Sequence, residues 1–306
     1  MKLRATNRLI LFFLILAIMW LCLEFIALGL ESRRDQKIMD FSFKNFSHYK
    51  NKIAVLVFGS SHALYGVNPQ YFDEFGYNFS YSAEDIFYSY MKLRRYINEM
   101  PNLKTVMLCV DYFSPGYFER KSQFREISYG YGGYIPEQLS LRGYFERLSA
   151  FFRVRPWFAD SFKRKYLKRE DIKIAENEGN LSDNYSVFPG IADQTMLASG
   201  YFYTNRDRPE LKTSEGAEKQ TRIFAVDNYD QERVHFNEGI LNKFIGLCEK
   251  KRVRVILFTP PYTEAYRKAY PCGHITVMRN MVKKAMRGHD NAAYYDYSAS
   301  EALAAE

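Results

Sequence analysis

Ser61 follows a short apolar run at residues 53–58 and lies inside Gly59-Ser60-Ser61-His62. A serine hydroxyl becomes a nucleophile once a neighbouring group takes its proton, and its attack on an ester leaves an acyl-enzyme that water or another hydroxyl resolves. A strand that delivers such a serine to the carboxyl edge of a sheet, with a helix starting just beyond, also sets backbone N–H groups near a developing oxyanion. The tetrapeptide has a structural reading as well: a strand-to-helix turn with Ser60 or Ser61 as N-cap. Five histidines are available as the base, His48, His62, His235, His274 and His289. His62 adjoins Ser61, and because a neighbour on a turn usually points elsewhere, it is expected to orient substrate rather than take the proton. His274 lies in a connection after Pro271 that can approach the carboxyl edge, which makes it the best distant substitute. His235 and His289 precede strand-like runs and belong at the opposite edge. Asp296 ends the last such run at the correct edge, as a third catalytic group or simply as a strand end. No His/Cys/Asp/Glu cluster has metal-ligand spacing and no glycine-rich phosphate loop is present, so neither a metal nor a cofactor is expected.

These residues need a sheet to position them. Apolar runs at 53–58 and 105–110 have the pattern of strands buried on both faces, and 253–258 and the shorter 292–296 read as further strands. Residues 77–81 are a weaker strand candidate. Helical spacing appears at 83–100, where Pro101 stops it, at 235–251, and from about 275 to 287. Strands alternating with helices predict a parallel sheet in a three-layer α/β/α fold. Residues 112–230 break the alternation. They are rich in aromatics and contain the basic cluster at 163–169, which reads either as a mainly helical cover over one end of the sheet or as a lid or groove for a sugar polymer.

The N-terminus has a different character. Residues 9–30 are apolar apart from Glu24, and Lys2, Arg4 and Arg8 precede them. At ~1.5 Å rise per residue such a helix crosses a hydrocarbon core of ~30 Å. The expected organisation is a cytoplasmic tail and transmembrane anchor at 1–30, a polar stalk at 31–52 and an α/β domain at 53–306, single-pass in the cell membrane with the domain outside the cytoplasm. A cleaved signal peptide is the alternative, but the apolar run exceeds the usual ~7–15 residues of one. The chain of 306 residues is 47% hydrophobic and carries a formal charge of +8. Its basic residues are dispersed among 35 acidic ones with no basic stripe, so a nucleic-acid partner is not expected. The four cysteines suggest no paired framework.

The block Gly59-Ser60-Ser61-His62 after a buried strand resembles the first block of the SGNH (GDSL-type) hydrolase superfamily, with serine where aspartate usually precedes the nucleophile. The His62 that follows, and Gly66-Val67-Asn68-Pro69 beyond it, resemble the membrane-anchored branch concerned with alginate O-acetylation and teichoic acid D-alanyl transfer. The resemblance covers the alternating α/β parts and not residues 112–230. It implies an esterase or O-acyltransferase acting on acyl esters of an envelope polysaccharide, with the bilayer and a membrane-bound acyltransferase as partners. It implies Ser61 as nucleophile and an oxyanion or substrate region around Gly59, Ser60, Ala83 and Asp111. The family's second-block glycine has no counterpart near Ala83, and Asp111 stands where its asparagine donor belongs. Its Asp-x-x-His block is not found before Glu306, so the expectation is a shortened relative with impaired turnover, an envelope binding or assembly protein on the same scaffold.

Overall fold

The computed structural model describes residues 2–31, 35–82, 84–116, 173–174, 194–196, 199, 202–204, 213–224, 231–270 and 273–300. The chain forms two compact units, Met1–Asp40 with Lys121–Glu170, and Phe41–Arg120 with Asp171–Glu306. In the first unit, helix α1 (Lys2–Glu31) runs unbroken for 30 residues. Leu9, Phe12, Phe13, Trp20 and Leu21 on it are all exposed. Side chains of α1 are described from 7 to 23, and among the described residues no helix is long and apolar enough to cross a membrane.

The second unit is built on a wholly parallel sheet of β1 (Val55–Phe58), β2 (Gly76–Asn78), β3 (Thr105–Cys109), β7 (Arg254–Thr259) and β8 (Ala292–Asp296), in the order β2-β1-β3-β7-β8. Between β3 and β7 the chain forms a separate three-stranded sheet of β4 (Lys173–Ile174), β5 (Gln194–Met196) and β6 (Phe202–Thr204). Residues 112–230, expected to be mainly helical, thus include a sheet. The rest of that expectation lies outside the described residues, apart from α5 (Ser214–Phe224).

The apolar runs form strands whose side chains are buried against helices. Leu56, Phe58, Val106, Leu108, Val255 and Leu257 alternate onto one face and are buried. Along that face α4 (Ile86–Tyr96), α6 (Gln231–Lys250) and α8 (His274–Ala285), which comes after the short α7 (Glu264–Ala269), pack in a row with α6 in the middle. Phe244 of α6 meets Phe58 edge-on at 5.8 Å. On the opposite face Val57, Cys109 and Phe258 pack against Ala63 of α3 (Ser61–Gly66). The architecture is therefore α/β, with a five-stranded parallel sheet.

The segment expected to be a polar stalk is helical over α2 (Asp35–Tyr49). Phe46 is completely buried and stacks on Phe79 at 4.2 Å, with Tyr77 and Tyr96 edge-on around it. Its partners come from β2, from the loop after it and from α4, so local patterning does not reveal them. The expected helix at 83–100 starts later, where Asp85 caps α4 by accepting from Tyr88 N at 2.8 Å.

Both β2 and β3 lie beside β1, so the chain reverses its direction of travel across the sheet between them. The carboxyl edge at this reversal is the crevice in which open α/β sheets take their ligands. The residues just past β1 and just past β3 line it.

Candidate functional site

The turn after β1 begins at Gly59, whose φ of +145° is accessible to glycine and strained for other residues. A Cβ at this position would lie 2.6 Å from Cys109 Cβ, so glycine also permits the close approach of β1 to β3. Ser60 is the N-cap of α3, its Oγ accepting from His62 N at 3.3 Å. The structural reading of the turn thus holds for Ser60. Its hydroxyl has a second task, donating to Asp111 Oδ2 at 2.7 Å.

Asp111 follows β3 directly and is only 1% exposed. Its other oxygen, Oδ1, is 2.6 Å from His62 Nδ1 and accepts from the Tyr262 hydroxyl at 3.1 Å. Cys109 Sγ is 3.8 Å from the same oxygen, and Asp111 N donates to Ser114 Oγ at 2.9 Å. Three adjacent strands, β1, β3 and β7, therefore each bring a group to one buried carboxylate: Ser60 and His62, Asp111 itself, and Tyr262.

The electrostatics follow from burial and pairing. Burial by itself would disfavour the Asp111 carboxylate, but the charge and hydrogen bond of His62, with the hydroxyls of Ser60 and Tyr262, outweigh it and hold the pKa below its ordinary value. Burial would likewise lower the pKa of His62, and the Asp111 charge and hydrogen bond reverse this, leaving it raised. Burial and the nearby carboxylate push the Cys109 thiol and the Tyr262 phenol well above their usual ranges, so both stay protonated. An ionised carboxylate only accepts, which assigns the Nδ1 proton to His62. The neutral ring then presents Nε2 as an acceptor, and among the described residues no hydrogen bond occupies it. The His62 side chain is 31% exposed. Tyr262, Tyr266 and Phe113 surround the ring with centroids 5.9, 6.3 and 6.3 Å away. They belong to a buried cluster with Tyr112, Tyr270 and Ala217.

Gly59, Ser60, His62 and Asp111 thus share one place. Ser61 is the first residue of α3 at the same turn, partly buried, with no hydrogen bond to His62 or Asp111. His274 does not join them. It opens α8, is 8% exposed, and has its pKa lowered by burial. Asp296 ends β8, two strands from β3, where Arg279 pairs with its carboxylate at 2.6 Å and Ser298 N donates to it at 3.0 Å. Ala83 lies outside the described residues. His289 is occupied by Glu249 at 2.8 Å and Asn242 at 3.2 Å. Tyr262 was not singled out from sequence, and Asp111 was read there as an oxyanion substitute rather than as a partner of His62. The available signal was positional: an acid ending the strand that lies next to the serine-bearing one. Among the described residues no group of three or more His, Cys, Asp and Glu side chains is placed to hold a metal ion.

No family model matches the chain, and neither does a curated protein or a solved structure.

Proposed function

We propose that this protein is a membrane-anchored serine esterase or O-acyltransferase of the SGNH-like kind, in which Ser61 is the nucleophile and His62, oriented by Asp111, is its base. The observation that carries the reading is the 2.6 Å bond between a buried, ionised Asp111 and His62 Nδ1 beside the serine turn. That bond fixes the tautomer with Nε2 unprotonated and favours the imidazolium once a proton arrives, which is the task of the acid in a serine–histidine–acid arrangement. On this reading His62 is the base in a sequence where no Asp-x-x-His was found, so turnover is expected where the alternative, an impaired binding or assembly protein, expects little or none.

In the first half of the reaction, the Ser61 hydroxyl proton passes to His62 Nε2 as Oγ bonds to the acyl carbon. The ester C–O bond then breaks and the leaving oxygen takes the proton back from His62. In the second half, water or an acceptor hydroxyl loses its proton to His62, attacks the acyl-enzyme, and releases Ser61 with its proton restored. An envelope polysaccharide as substrate or acceptor is carried over from the resemblance of residues 59–62 and 66–69. The membrane anchor is supported by the sequence of residues 9–30, apolar apart from Glu24 and preceded by Lys2, Arg4 and Arg8, and the placement of the catalytic unit outside the cytoplasm is carried over from the resemblance.

The test is hydrolysis of p-nitrophenyl acetate together with labelling by a fluorophosphonate probe. Wild type is expected to turn over and to be labelled on Ser61, while Ser61→Ala and His62→Ala lose activity by at least ~10³-fold with their folds intact. An active Ser61→Ala protein that still needs His62 would transfer the base to water or the acceptor hydroxyl. Unchanged turnover in His62→Ala would remove the proposal altogether.

A further inference from the structure

The carboxylate beneath His62 carries more donors than orienting a ring requires. Asp111 Oδ2 accepts from Ser60 Oγ at 2.7 Å, while Oδ1 takes both His62 Nδ1 at 2.6 Å and the Tyr262 hydroxyl at 3.1 Å. The oxygen that orients the imidazole is thus the one that Tyr262 holds. Tyr262 is 3% exposed, so it meets no substrate and acts only through Asp111.

The chain holds this phenol firmly. Pro260 and Pro261 follow β7 and fix the backbone φ of the two residues before it. Thr263, next in the chain, caps α7, its Oγ1 accepting from Tyr266 N at 3.3 Å. Tyr112, Tyr270 and Tyr266 close on the Tyr262 ring with centroids 6.2, 5.5 and 5.5 Å away, and the ring stands edge-on to His62 at 5.9 Å. The hydroxyl cannot leave Oδ1 without disturbing this cluster. Among the described residues, the titratable groups around His62 and its carboxylate are Cys109, Asp111 and Tyr112 at the end of β3, Tyr262 past β7 and Tyr266 on α7. Burial keeps the thiol and the phenols protonated, so Asp111 is the one anion there and Tyr262 is always a donor.

A base has to release its proton as well as take it. A buried carboxylate 2.6 Å away, left to itself, would hold the imidazolium strongly, and the leaving oxygen would recover the proton slowly. A phenol that donates to the same oxygen stabilises the carboxylate and turns the positive end of its O–H dipole toward His62, which weakens that hold. We infer that Tyr262 is a positioning residue of the proposed reaction: its hydroxyl fixes the Asp111 oxygen that orients His62 and shares the charge of that oxygen, so that the proton His62 takes from Ser61 passes on to the leaving oxygen. The inference rests on the esterase or acyltransferase reading, but the effect of Tyr262 on His62 belongs to the free protein and is measured without turnover.

The experiment compares wild type, Tyr262→Phe and Tyr270→Phe as full-length proteins. Histidine Cε1 is isotope-labelled and titrated by NMR, the His62 resonance being the one that His62→Gln removes, and p-nitrophenyl acetate turnover is followed over the same pH range. Phenylalanine at 262 keeps the ring and its packing and removes only the hydroxyl. The His62 midpoint in Tyr262→Phe is expected to rise by about 0.5–1 pH unit, and the ascending limb of turnover to move up with it. Tyr270→Phe takes from the same cluster a phenol that makes no hydrogen bond to Asp111, and its midpoints are expected to match wild type. An unmoved or lowered His62 midpoint in Tyr262→Phe, beside intact Ser61-dependent turnover in wild type, overturns the inference alone. An equal rise in Tyr270→Phe assigns the effect to cluster packing and overturns it too. A raised midpoint in a protein whose wild type shows no Ser61-dependent turnover overturns the underlying reading and, with it, the catalytic role of Tyr262.

Discussion

Two buried charge pairs lie near the carboxyl edge of one sheet and have opposite characters. Glu84 and Lys92 have no side-chain exposure at all, and their valences are used internally: Lys92 binds Glu84 and the Phe79 carbonyl, Ser89 Oγ donates to Glu84 at 2.7 Å, and the ammonium sits 4.5 Å from the Phe79 ring centroid. Burial pushes the Glu84 pKa up and the Lys92 pKa down, with each countered by the other. Asp111 and His62 differ in one respect, that the acid is buried at 1% exposure while the imidazole, at 31%, reaches the surface with one nitrogen uncommitted. A closed pair can only hold its loop in place. An open pair can exchange a proton with whatever arrives, and the same low-dielectric setting then shapes chemistry rather than architecture.

The most damaging way to break this contrast is Asp111→Asn. The amide keeps the shape and the acceptor for Ser60 but removes the charge and the tautomer control on His62. Turnover of p-nitrophenyl acetate is expected to fall by about 10⁴-fold with near-ultraviolet dichroism unchanged. A comparable collapse of the fold would make the open pair structural after all.

Lys92→Met attacks the closed pair instead. It strands a buried carboxylate, and urea unfolding is expected to show about 3–5 kcal/mol of lost stability. Adding Glu84→Leu should return most of it, since a buried ion pair replaced as a whole by apolar groups is often neutral. If the double variant remains as unstable as the single one, the pair has a further role beyond mutual neutralisation.

Smaller, but able to sharpen the comparison, is pH. Asp111 lies below its ordinary 3.8 and His62 above its ordinary 6.5. The stability due to Asp111 is fully present above 3.8 and is lost as pH falls through the lower, folded value. The stability due to His62 is complete below 6.5 and is lost as pH rises through its raised folded value. The melting-temperature gap between wild type and His62→Gln is thus expected to be widest near pH 5.5, roughly between the two ordinary values, and to narrow as the imidazole deprotonates. Turnover should run the other way and rise as pH climbs through the raised folded pKa of His62, above 6.5, because a base must be neutral to act. A pH-independent gap in stability would mean that the imidazole carries no charge in the folded protein.

Four of the five strands of the parallel sheet were legible because each is a largely apolar run with its own boundaries, whereas β2 is Gly-Tyr-Asn and carries no such pattern. The expected strand at 292–296 matches β8 to the residue, and the runs ending at Phe58, Val110 and Phe258 match β1, β3 and β7 to within two residues at either end. Phe46 was not legible, since nothing in an amphipathic 15-residue stretch announces that Tyr77, Phe79 and Tyr96 will enclose it. The site divides in the same way. Ser60, Ser61 and His62 could be read as a turn, but the role of His62 depends on Asp111, 49 residues away in sequence and brought close only by the pairing of β1 with β3. Adjacency along the chain argued against His62 as a base. The sheet supplied a partner that adjacency could not foresee. Tyr262 escaped notice because it lies just past a strand whose own end is marked only by prolines.

The pairing of β3 with β7 also governs the order in which this protein can be assembled. Thr259 donates to the Val110 carbonyl across 149 residues of chain, so the centre of the sheet is closed by a strand synthesised long after its neighbour. At ~5–20 residues per second, β2, β1 and β3 wait on the order of ten seconds for that partner. Closing so long a loop adds little to the equilibrium cost, about 0.6 kcal/mol for each doubling of its length. The burden falls on time instead. A three-stranded apolar sheet with the open edge of β3 is a template for pairing with other nascent chains throughout that interval, and yield during expression should respond to slower growth or to added holdase chaperone more than to any change in the finished protein's stability.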